Sequence, residues 1–224
     1  MTVMTAPEVQ SRSALLAKYG GQNVLAIGSH PNDIEAGCGG TLARLSEAGA
    51  TVSMVIVCYP HHLKDRMEES HRSAKILGAS LRVLYPEKEL RVEDIKMYEL
   101  IDQMDKIIRQ LDPAVVFTHA PSNFHQDNVL VHKALASAQR LHFFDMFCFY
   151  PTNCHPVTTP FYPNVWVDIS STIDRKLSAI DQYETQFKCR GIATDVYRGA
   201  AEQYGRLAGT GYAEGFEVSR FTLG

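Results

Sequence analysis

Two short polar stretches of this 224-residue sequence carry residue types that bind metal ions and move protons. His30 and Asp33 lie three residues apart just after one apolar run, and His125 and Asp127 follow another. An imidazole and a carboxylate on one tight turn can converge on a single point, and zinc accepts both as ligands. Either pair alone occurs by chance in many chains, so the surrounding elements must decide whether the two pairs meet.

The sequence around these pairs predicts alternating strands and helices. Apolar runs rich in β-branched residues alternate with amphipathic segments at roughly 25 to 35 residues per unit, which is typical of a parallel sheet with right-handed crossovers. This predicts an α/β fold with a Rossmann-like, mostly parallel sheet flanked by helices. The predicted strands are 24–28, 51–58, 81–84 and 114–119, and the predicted helices are 8–19, 34–48, 64–77, 93–111 and 127–140.

The remainder of the chain predicts a small C-terminal extension of strands and helices. Because no linker rich in Pro, Ser or Gly divides the sequence, we predict a single domain over residues 1–224. Its Rossmann-like part covers about residues 22–140, and its substrate-lining part about residues 141–224. The extension has predicted strands at 144–150, 165–169 and 216–223, and predicted helices at 172–187 and 196–207.

The expected sheet places both polar stretches at one edge. In open α/β sheets, ligands bind in the crevice outside the carboxyl ends of the strands. If the first and fourth strands are neighbours, the loop with His30 faces the loop with His125 across that crevice. The glycines that follow His30 do not have the G-x-G-x-x-G spacing, which argues against a dinucleotide site.

The composition fits a globular protein with a small-molecule ligand. The formal net charge is −3, and the absence of long like-charge runs argues against a nucleic-acid partner. The sequence has neither an apolar run of about 18 residues nor a signal-peptide pattern at its start, so we expect no membrane partner and a cytoplasmic location. The five cysteines are odd in number and scattered, which fits reduced thiols. The composition is compatible with a homo-oligomer.

Residues 30–42 carry a specific motif. They read His-Pro-Asn-Asp-Ile-Glu-Ala-Gly-Cys-Gly-Gly-Thr-Leu, which resembles the signature of the LmbE-like (PIG-L) de-N-acetylase family. The resemblance covers about residues 22–218. It also includes Arg66-x-x-Glu69, Ala74–Gly78, His125-Gln-Asp-Asn128, Val167–Ser170, Tyr183–Gln186 and Tyr212–Phe216.

The resemblance implies an N-acyl amide hydrolase, usually acting on an amino sugar, with one Zn²⁺ held by His, Asp and His. Carried over by position, it makes His30 and Asp33 metal ligands. It makes His125 the residue that stabilises the oxyanion or protonates the leaving amine, with Asp127 as the orienting partner of His125. It also makes Arg66 a substrate contact.

Two positions depart from the family pattern. Asn32 stands where the catalytic base is expected, and a side-chain amide cannot take a proton near neutral pH; general-base catalysis contributes about 10²–10⁴-fold. Asn128 stands where the third ligand, a His, is expected, and its carbonyl oxygen is a poor substitute for imidazole at zinc. His132, one helical turn after Asn128, is an alternative third ligand.

Two further residues are candidate substrate contacts. Arg140 precedes a predicted strand whose loop would border the substrate, and Tyr150 could line an acyl or sugar subsite.

Three functions follow, of which the first is favoured. It is a metal-dependent amidohydrolase acting on N-acylated amino sugars or small metabolites, slowed by Asn32 and Asn128. The second is a repurposed family member that uses the same pocket for a transferase, cyclase or lyase-like step. The third is a non-catalytic binding protein.

Overall fold

The computed structural model describes residues 13–150 and 161–222, so residues 8–12 of the first predicted helix lie outside the described part. The elements follow the predicted alternation. In chain order they are α1 (Ala14–Tyr19), β1 (Asn23–Gly28), α2 (Asp33–Glu47), β2 (Thr51–Ile56), α3 (Leu63–Leu77), β3 (Ser80–Val83), α4 (Met97–Leu111), β4 (Val115–His119), α5 (Gln126–Ala138), β5 (Asp145–Phe149), β6 (Val165–Asp168), α6 (Ile173–Ile180), α7 (Asp195–Ala208) and β7 (Ala213–Arg220).

Seven strands form a mostly parallel sheet in the order β3-β2-β1-β4-β5-β7-β6. The first five strands of this order pair in parallel, whereas β7 is antiparallel to both β5 and β6. Helices cover both faces of the sheet, so the predicted α/β fold class is confirmed. β1 and β4 are direct neighbours, with Ala26 opposite Phe117, as the predicted crevice requires.

Side chains of the central strands alternate between two hydrophobic clusters. In β1, Val24 and Ala26 pack in the cluster that contains α2, α6 and α7, whereas Leu25 and Ile27 pack in the cluster that contains α4 and α5. Successive side chains of a strand point to opposite faces. A parallel strand covered on both faces therefore reads as a continuous apolar run, which is the pattern seen in the sequence.

Helix α2, whose first residue is Asp33, is anchored by a buried ion pair. Lys176 Nζ lies 2.6 Å from Glu214 Oε1 and donates to the Ala36 carbonyl at 2.7 Å. The Glu214 carboxylate also accepts the backbone N–H groups of Gly40 and Thr41. These hydrogen bonds satisfy both buried charges, which would otherwise be costly to bury.

The predicted helix at 93–111 begins later than expected. A 3₁₀ helix spans Val92–Asp94, Ile95 and Lys96 are extended, and α4 begins only at Met97. The Asp127 carboxylate accepts the N–H groups of Val92 and Glu93, and this long-range contact fixes the separate turn.

The predicted helix at 172–187 is also shorter in the structure and ends at Ile180. The Glu69 carboxylate accepts the N–H and hydroxyl of Thr185, which holds the following segment in turns. Among the helices of the described residues, none is long and apolar enough to cross a membrane.

Candidate functional site

A cavity of about 530 Å³ opens at the carboxyl ends of β1 and β4. The loops after these strands, the start of α5 and the segment before α4 form its walls. The cavity is lined by His30, Pro31, Asn32, Asp33, Pro60, His61, Arg66, Arg91, Glu93, Phe124, His125, Gln126, Asp127, Asn128 and Gln186.

The turn after β1 presents His30, Asn32 and Asp33 to this cavity. Asn32 has a φ of 73°, in the left-handed region that Asn and Asp tolerate better than most residues. The backbone N–H of His30 donates to Asp33 Oδ2 at 2.8 Å, which closes the turn. The buried Asn32 side chain thus lies beside the two predicted metal ligands.

The His30 ring is held between two carboxylates. His30 Nε2 lies 2.7 Å from Asp127 Oδ2, and His30 Nδ1 lies 3.9 Å from Asp33 Oδ2. Burial would raise the pKa of Asp127, but the hydrogen bonds from His30 and from the Val92 N–H hold that pKa below its usual range. Asp127 is therefore an ionised acceptor that orients His30.

Asp33 is ionised although it is buried. Burial would raise the pKa of Asp33, but the nearby His119 and His30 and the His30 N–H hold that pKa below its usual value. His119 is fully buried at the end of β4, and its Nε2 lies 3.3 Å from Asp33 Oδ2. Asp33 thus keeps a negative charge at the cavity wall.

His125 is both the N-cap residue of α5 and a cavity residue. Its Nδ1 accepts the Asp127 backbone N–H at 3.2 Å, so the proton of the neutral ring lies on Nε2. Burial and the nearby His30 lower the pKa of His125, which favours this neutral form. The rings of His30 and His125 meet edge to face, with centroids 5.1 Å apart.

Asn128 offers a carbonyl oxygen to the site. The residue is buried and lines the cavity, and its Nδ2 donates to Asn123 Oδ1 at 3.2 Å. Within the described part of the chain, Asn128 Oδ1 has no hydrogen-bond partner. This leaves the acceptor available to a ligand at the cavity wall.

The described residues also include a group able to hold a metal ion. The ligand atoms of His30, His125 and Asp127 all lie within 4.8 Å of one another. The arrangement therefore brings imidazole and carboxylate groups from the two predicted loops together at one edge of the sheet.

Arg66 lies in the cavity wall as expected. Its side chain is buried on α3 and donates through Nη2 to Gln186 Oε1, which also lines the cavity. The two residues bring a cationic and an amide group to the site from distant parts of the chain.

The structure places His132 outside the ligand cluster, which corrects its candidate role as third ligand. His132 Nδ1 lies 2.9 Å from the His119 carbonyl oxygen, and burial lowers the pKa of His132. One helical turn along α5 leads away from the cavity toward the end of β4, so the ring does not line the cavity wall.

Arg140 and Tyr150 also lie apart from this cavity, contrary to the expectation that they contact substrate there. Arg140 follows the far end of α5, about 20 Å along the helix from His125, and its Nη2 pairs with Asp105 at 2.7 Å. Tyr150 follows β5 and lines a separate, much smaller cavity beside Lys176.

Asp127 orients a different ring from the one expected. Its carboxylate contacts His30, whereas His125 meets only the Asp127 backbone N–H. The sequence predicted the carboxylate but not its partner, because both imidazoles lie within reach of the start of α5.

Three polar or charged residues that line the cavity, and one residue that supports it from behind, were not singled out from the sequence. Gln186 lies within a stretch that resembles a family landmark, so a signal for it existed. Arg91 and Glu93 come from the connection between β3 and α4, where no motif marks them. Asn123, which holds Asn128, lies in a polar loop that offers many similar candidates.

Comparisons with known proteins identify relatives of this chain. A family model described as PIG-L, GlcNAc-PI de-N-acetylase, matches residues 25–139. The uncharacterized deacetylase YaiS of Escherichia coli K12 is 33% identical over 138 residues, which cover 57% of this chain and 74% of YaiS. The diacetylchitobiose deacetylase of Thermococcus kodakarensis is 29% identical over 224 residues, which cover 87% of this chain and 82% of that protein.

The crystal structure of GalB, the 4-carboxy-2-hydroxymuconate hydratase of Pseudomonas putida KT2440, has a similar fold. It superposes with a TM-score of 0.73 and 20% identity, covering 91% of this chain and 98% of GalB. At that identity the likeness shows the fold alone. The family model matches half of the sequence and YaiS is matched over most of its length, so this chain belongs to the PIG-L family of de-N-acetylases.

Proposed function

We propose that this chain is a metal-dependent amidohydrolase that removes the acyl group from N-acylated amino sugars or related small metabolites. The observation that carries the proposal is the convergence of His30, Asp33, His125 and Asn128 on one cavity at the carboxyl ends of β1 and β4. Membership of a de-N-acetylase family and the similarity to a diacetylchitobiose deacetylase support the reaction class and the substrate class.

The donors in the cavity fit a divalent cation held by His30, Asp33 and Asn128. His30 Nε2 is committed to Asp127, which leaves Nδ1 facing Asp33; a carboxylate that orients a ligating imidazole in this way is usual at metal sites. Asp33 is charged, and the buried Asn128 Oδ1 lacks a partner among the described residues. When bound, the cation supplies Lewis-acid polarisation of the acyl carbonyl.

The alternative ligand group, His30 with His125 and Asp127, fits less well. A cation between those atoms would have to replace the 2.7 Å hydrogen bond between His30 and Asp127. We therefore assign Asp127 the role of orienting His30, and we assign His125 a contact with the substrate.

His125 suits the stabilisation of negative charge on the carbonyl oxygen. Its neutral tautomer carries the proton on Nε2, because Nδ1 accepts the Asp127 N–H. A preorganised donor at a developing oxyanion contributes about 10²–10³-fold to the rate of acyl transfer. The lowered pKa of His125 keeps this donor neutral near pH 7.

Asn32 makes the reaction slow. It lies in the cavity wall where the resemblance places the base, and its amide cannot accept a proton from water. Asp127 cannot replace it, because its oxygens are engaged by His30 and by the Val92 and Glu93 N–H groups.

The test is the release of acetate and of primary amine from N-acetylglucosamine and N,N′-diacetylchitobiose by the metal-loaded chain. Asn32→Asp should raise the rate at least about ten-fold, since a general base contributes about 10²–10⁴-fold. The backbone should not change, because Asp tolerates the left-handed conformation as Asn does.

Asn164→Asp is the matched control. Asn164 lies in a loop away from the cavity, where its Oδ1 accepts the Val218 N–H, so the same substitution there should leave the rate unchanged. If neither the natural chain nor Asn32→Asp releases acetate from either compound, the proposal is wrong. Consumption of substrate without acetate release would indicate a repurposed, non-hydrolytic reaction.

A further inference from the structure

One backbone hydrogen bond fixes the orientation of the Asn123 amide. The His125 backbone N–H donates to the Asn123 side chain at 3.0 Å. A backbone N–H can only donate, so the atom that faces it is the carbonyl oxygen of the amide. The oxygen and nitrogen of Asn123 are thereby distinguished by chemistry, although the two ends of an amide have nearly the same shape.

The same oxygen fixes the neighbouring amide of Asn128. Asn128 Nδ2 lies 3.2 Å from Asn123 Oδ1 and donates to it. A reversed Asn128 amide would set two oxygens against each other. The His125 N–H therefore determines, through Asn123, that the end of Asn128 left without a partner among the described residues is an acceptor, Oδ1.

Three side chains with acceptor atoms then line the same cavity. His30 Nε2 donates to Asp127 and leaves Nδ1 beside Asp33, the Asp33 carboxylate offers its oxygens, and Asn128 adds its carbonyl oxygen. Neutral hydrogen-bond donors could satisfy these atoms one by one. A single divalent cation satisfies them together, and it also neutralises the charge of Asp33.

We propose that Asn128 Oδ1 is a metal ligand, that Asn123 is the positioning residue that presents this oxygen, and that the resulting donor set shifts the site toward harder cations such as Mn²⁺. One imidazole, one carboxylate and one amide oxygen form a harder set than two imidazoles and a carboxylate. The inference rests on the metal-dependent function proposed above, and it adds how Asn123 presents the oxygen of Asn128 and which cations the site prefers.

The first test measures metal binding to the chelator-stripped full chain by calorimetry. Mn²⁺ is titrated directly, and Zn²⁺ is titrated in competition with a chromophoric chelator. Asn128→His should raise the ratio of zinc to manganese affinity by about ten-fold or more, since imidazole suits zinc better than a carbonyl does. Asn123→Ala should lower manganese affinity by about ten-fold or more, the usual effect of removing a group that orients a ligand.

A double-mutant cycle separates positioning from a merely structural role. In Asn128→Asp both ends of the side chain are oxygens, so no orientation needs to be selected. Because a carboxylate at position 128 sets an oxygen against Asn123 Oδ1, adding Asn123→Ala to that variant should not lower manganese affinity, whereas Asn123→Ala alone is costly. Asn164→Ala is the control, because it removes another amide oxygen that accepts a backbone N–H, away from the cavity.

Three results would overturn the inference: no metal binding by the natural chain, no loss of affinity in Asn123→Ala, or an equal loss in the Asn128→Asp background. An unchanged metal ratio in Asn128→His would overturn the assignment of the ligand. Circular dichroism and thermal unfolding of each variant exclude misfolding as the cause. Acetate release together with metal affinity that is insensitive to Asn123 would reject this inference and leave the proposed function in place. Metal affinity that depends on Asn123, without any acetate release, would support the ligand assignment and reject the proposed hydrolysis.

Discussion

His125 has two roles that substitutions can separate. Its Nδ1 caps α5 by accepting the Asp127 N–H, and its Nε2 carries the proton that we assign to the substrate oxyanion. The first role contributes to stability and the second to turnover. The two roles use different atoms of the ring. A shorter residue that caps equally well should therefore keep the capping role and lose the stabilisation of the oxyanion.

His125→Asn should therefore leave stability nearly unchanged while lowering kcat. Asn is among the best N-cap residues, whereas Ala costs about 0.5–2 kcal/mol at that position. We expect kcat to fall about 10²–10³-fold in both His125→Asn and His125→Ala, with KM little changed. Acetate release measures kcat, and urea unfolding should separate the two variants. Full activity in His125→Asn would contradict the assigned role.

At the level of elements, the glycines of α2 set how closely this helix approaches the sheet. A Cβ on Gly37 would overlap the ring of Phe149 on β5, and a Cβ on Gly40 would lie 2.8 Å from the Ile169 side chain. The glycines that follow the turn with His30 and Asp33 thus allow α2 to pack closely against Phe149 and Ile169. Asp33, the first residue of α2, depends on this packing for its position.

Gly37→Ala should destabilise the protein by about 1–3 kcal/mol, the usual cost of overpacking a core. The matched substitution is Gly199→Ala in α7, where an added Cβ meets nothing within 4 Å. At that exposed position of the helix, replacing Gly by Ala should stabilise by about 0.8–1.0 kcal/mol. Urea midpoints measure both changes. A Gly37→Ala variant as stable as the natural chain would show that α2 can move away from β5.

At the scale of the whole molecule, Asp145 joins distant parts of the chain. Its carboxylate accepts the Tyr19 hydroxyl and the Thr222 N–H, both at 2.7 Å, and lies 2.9 Å from Lys18 Nζ. Burial would raise the pKa of Asp145, but the bonds from Tyr19, Lys18 and Thr222 hold it below its usual value. Helix α1, β5 and the segment after β7 are thereby linked through one charge.

The lowered pKa of Asp145 predicts a loss of stability in acid. A carboxyl whose pKa is lower in the folded state stabilises the fold above its unfolded pKa of about 3.9, and that contribution is lost as the pH falls toward the folded value. Asp145→Asn should reduce stability at pH 7 and flatten the fall below about pH 4. Urea unfolding across this range checks the slope. Asp102→Asn, on the exposed face of α4, is the control and should leave the pH dependence of stability unchanged. If the stability of Asp145→Asn falls with pH as steeply as that of the natural chain, the prediction is wrong.

The fold class and the place of the site could be predicted from the sequence. Continuous β-branched runs separated by helical segments require strands covered on both faces, and parallel strands place the loops with His30 and His125 at one edge. The motif at residues 30–42 identified the family before any contact was known. These inferences succeeded because they depend on local pattern and on the topology that such a pattern permits.

Only the tertiary structure decided how the side chains pair within the site. Asp127 meets His30 instead of His125, and His132 bonds to the His119 carbonyl and lies away from the cavity. Segments distant in sequence supply Arg91 and Gln186, and one backbone N–H, through Asn123, selects the oxygen of Asn128. Each outcome depends on which side chains the folded chain brings together, often from positions far apart in sequence, so it is set by packing and not by local pattern.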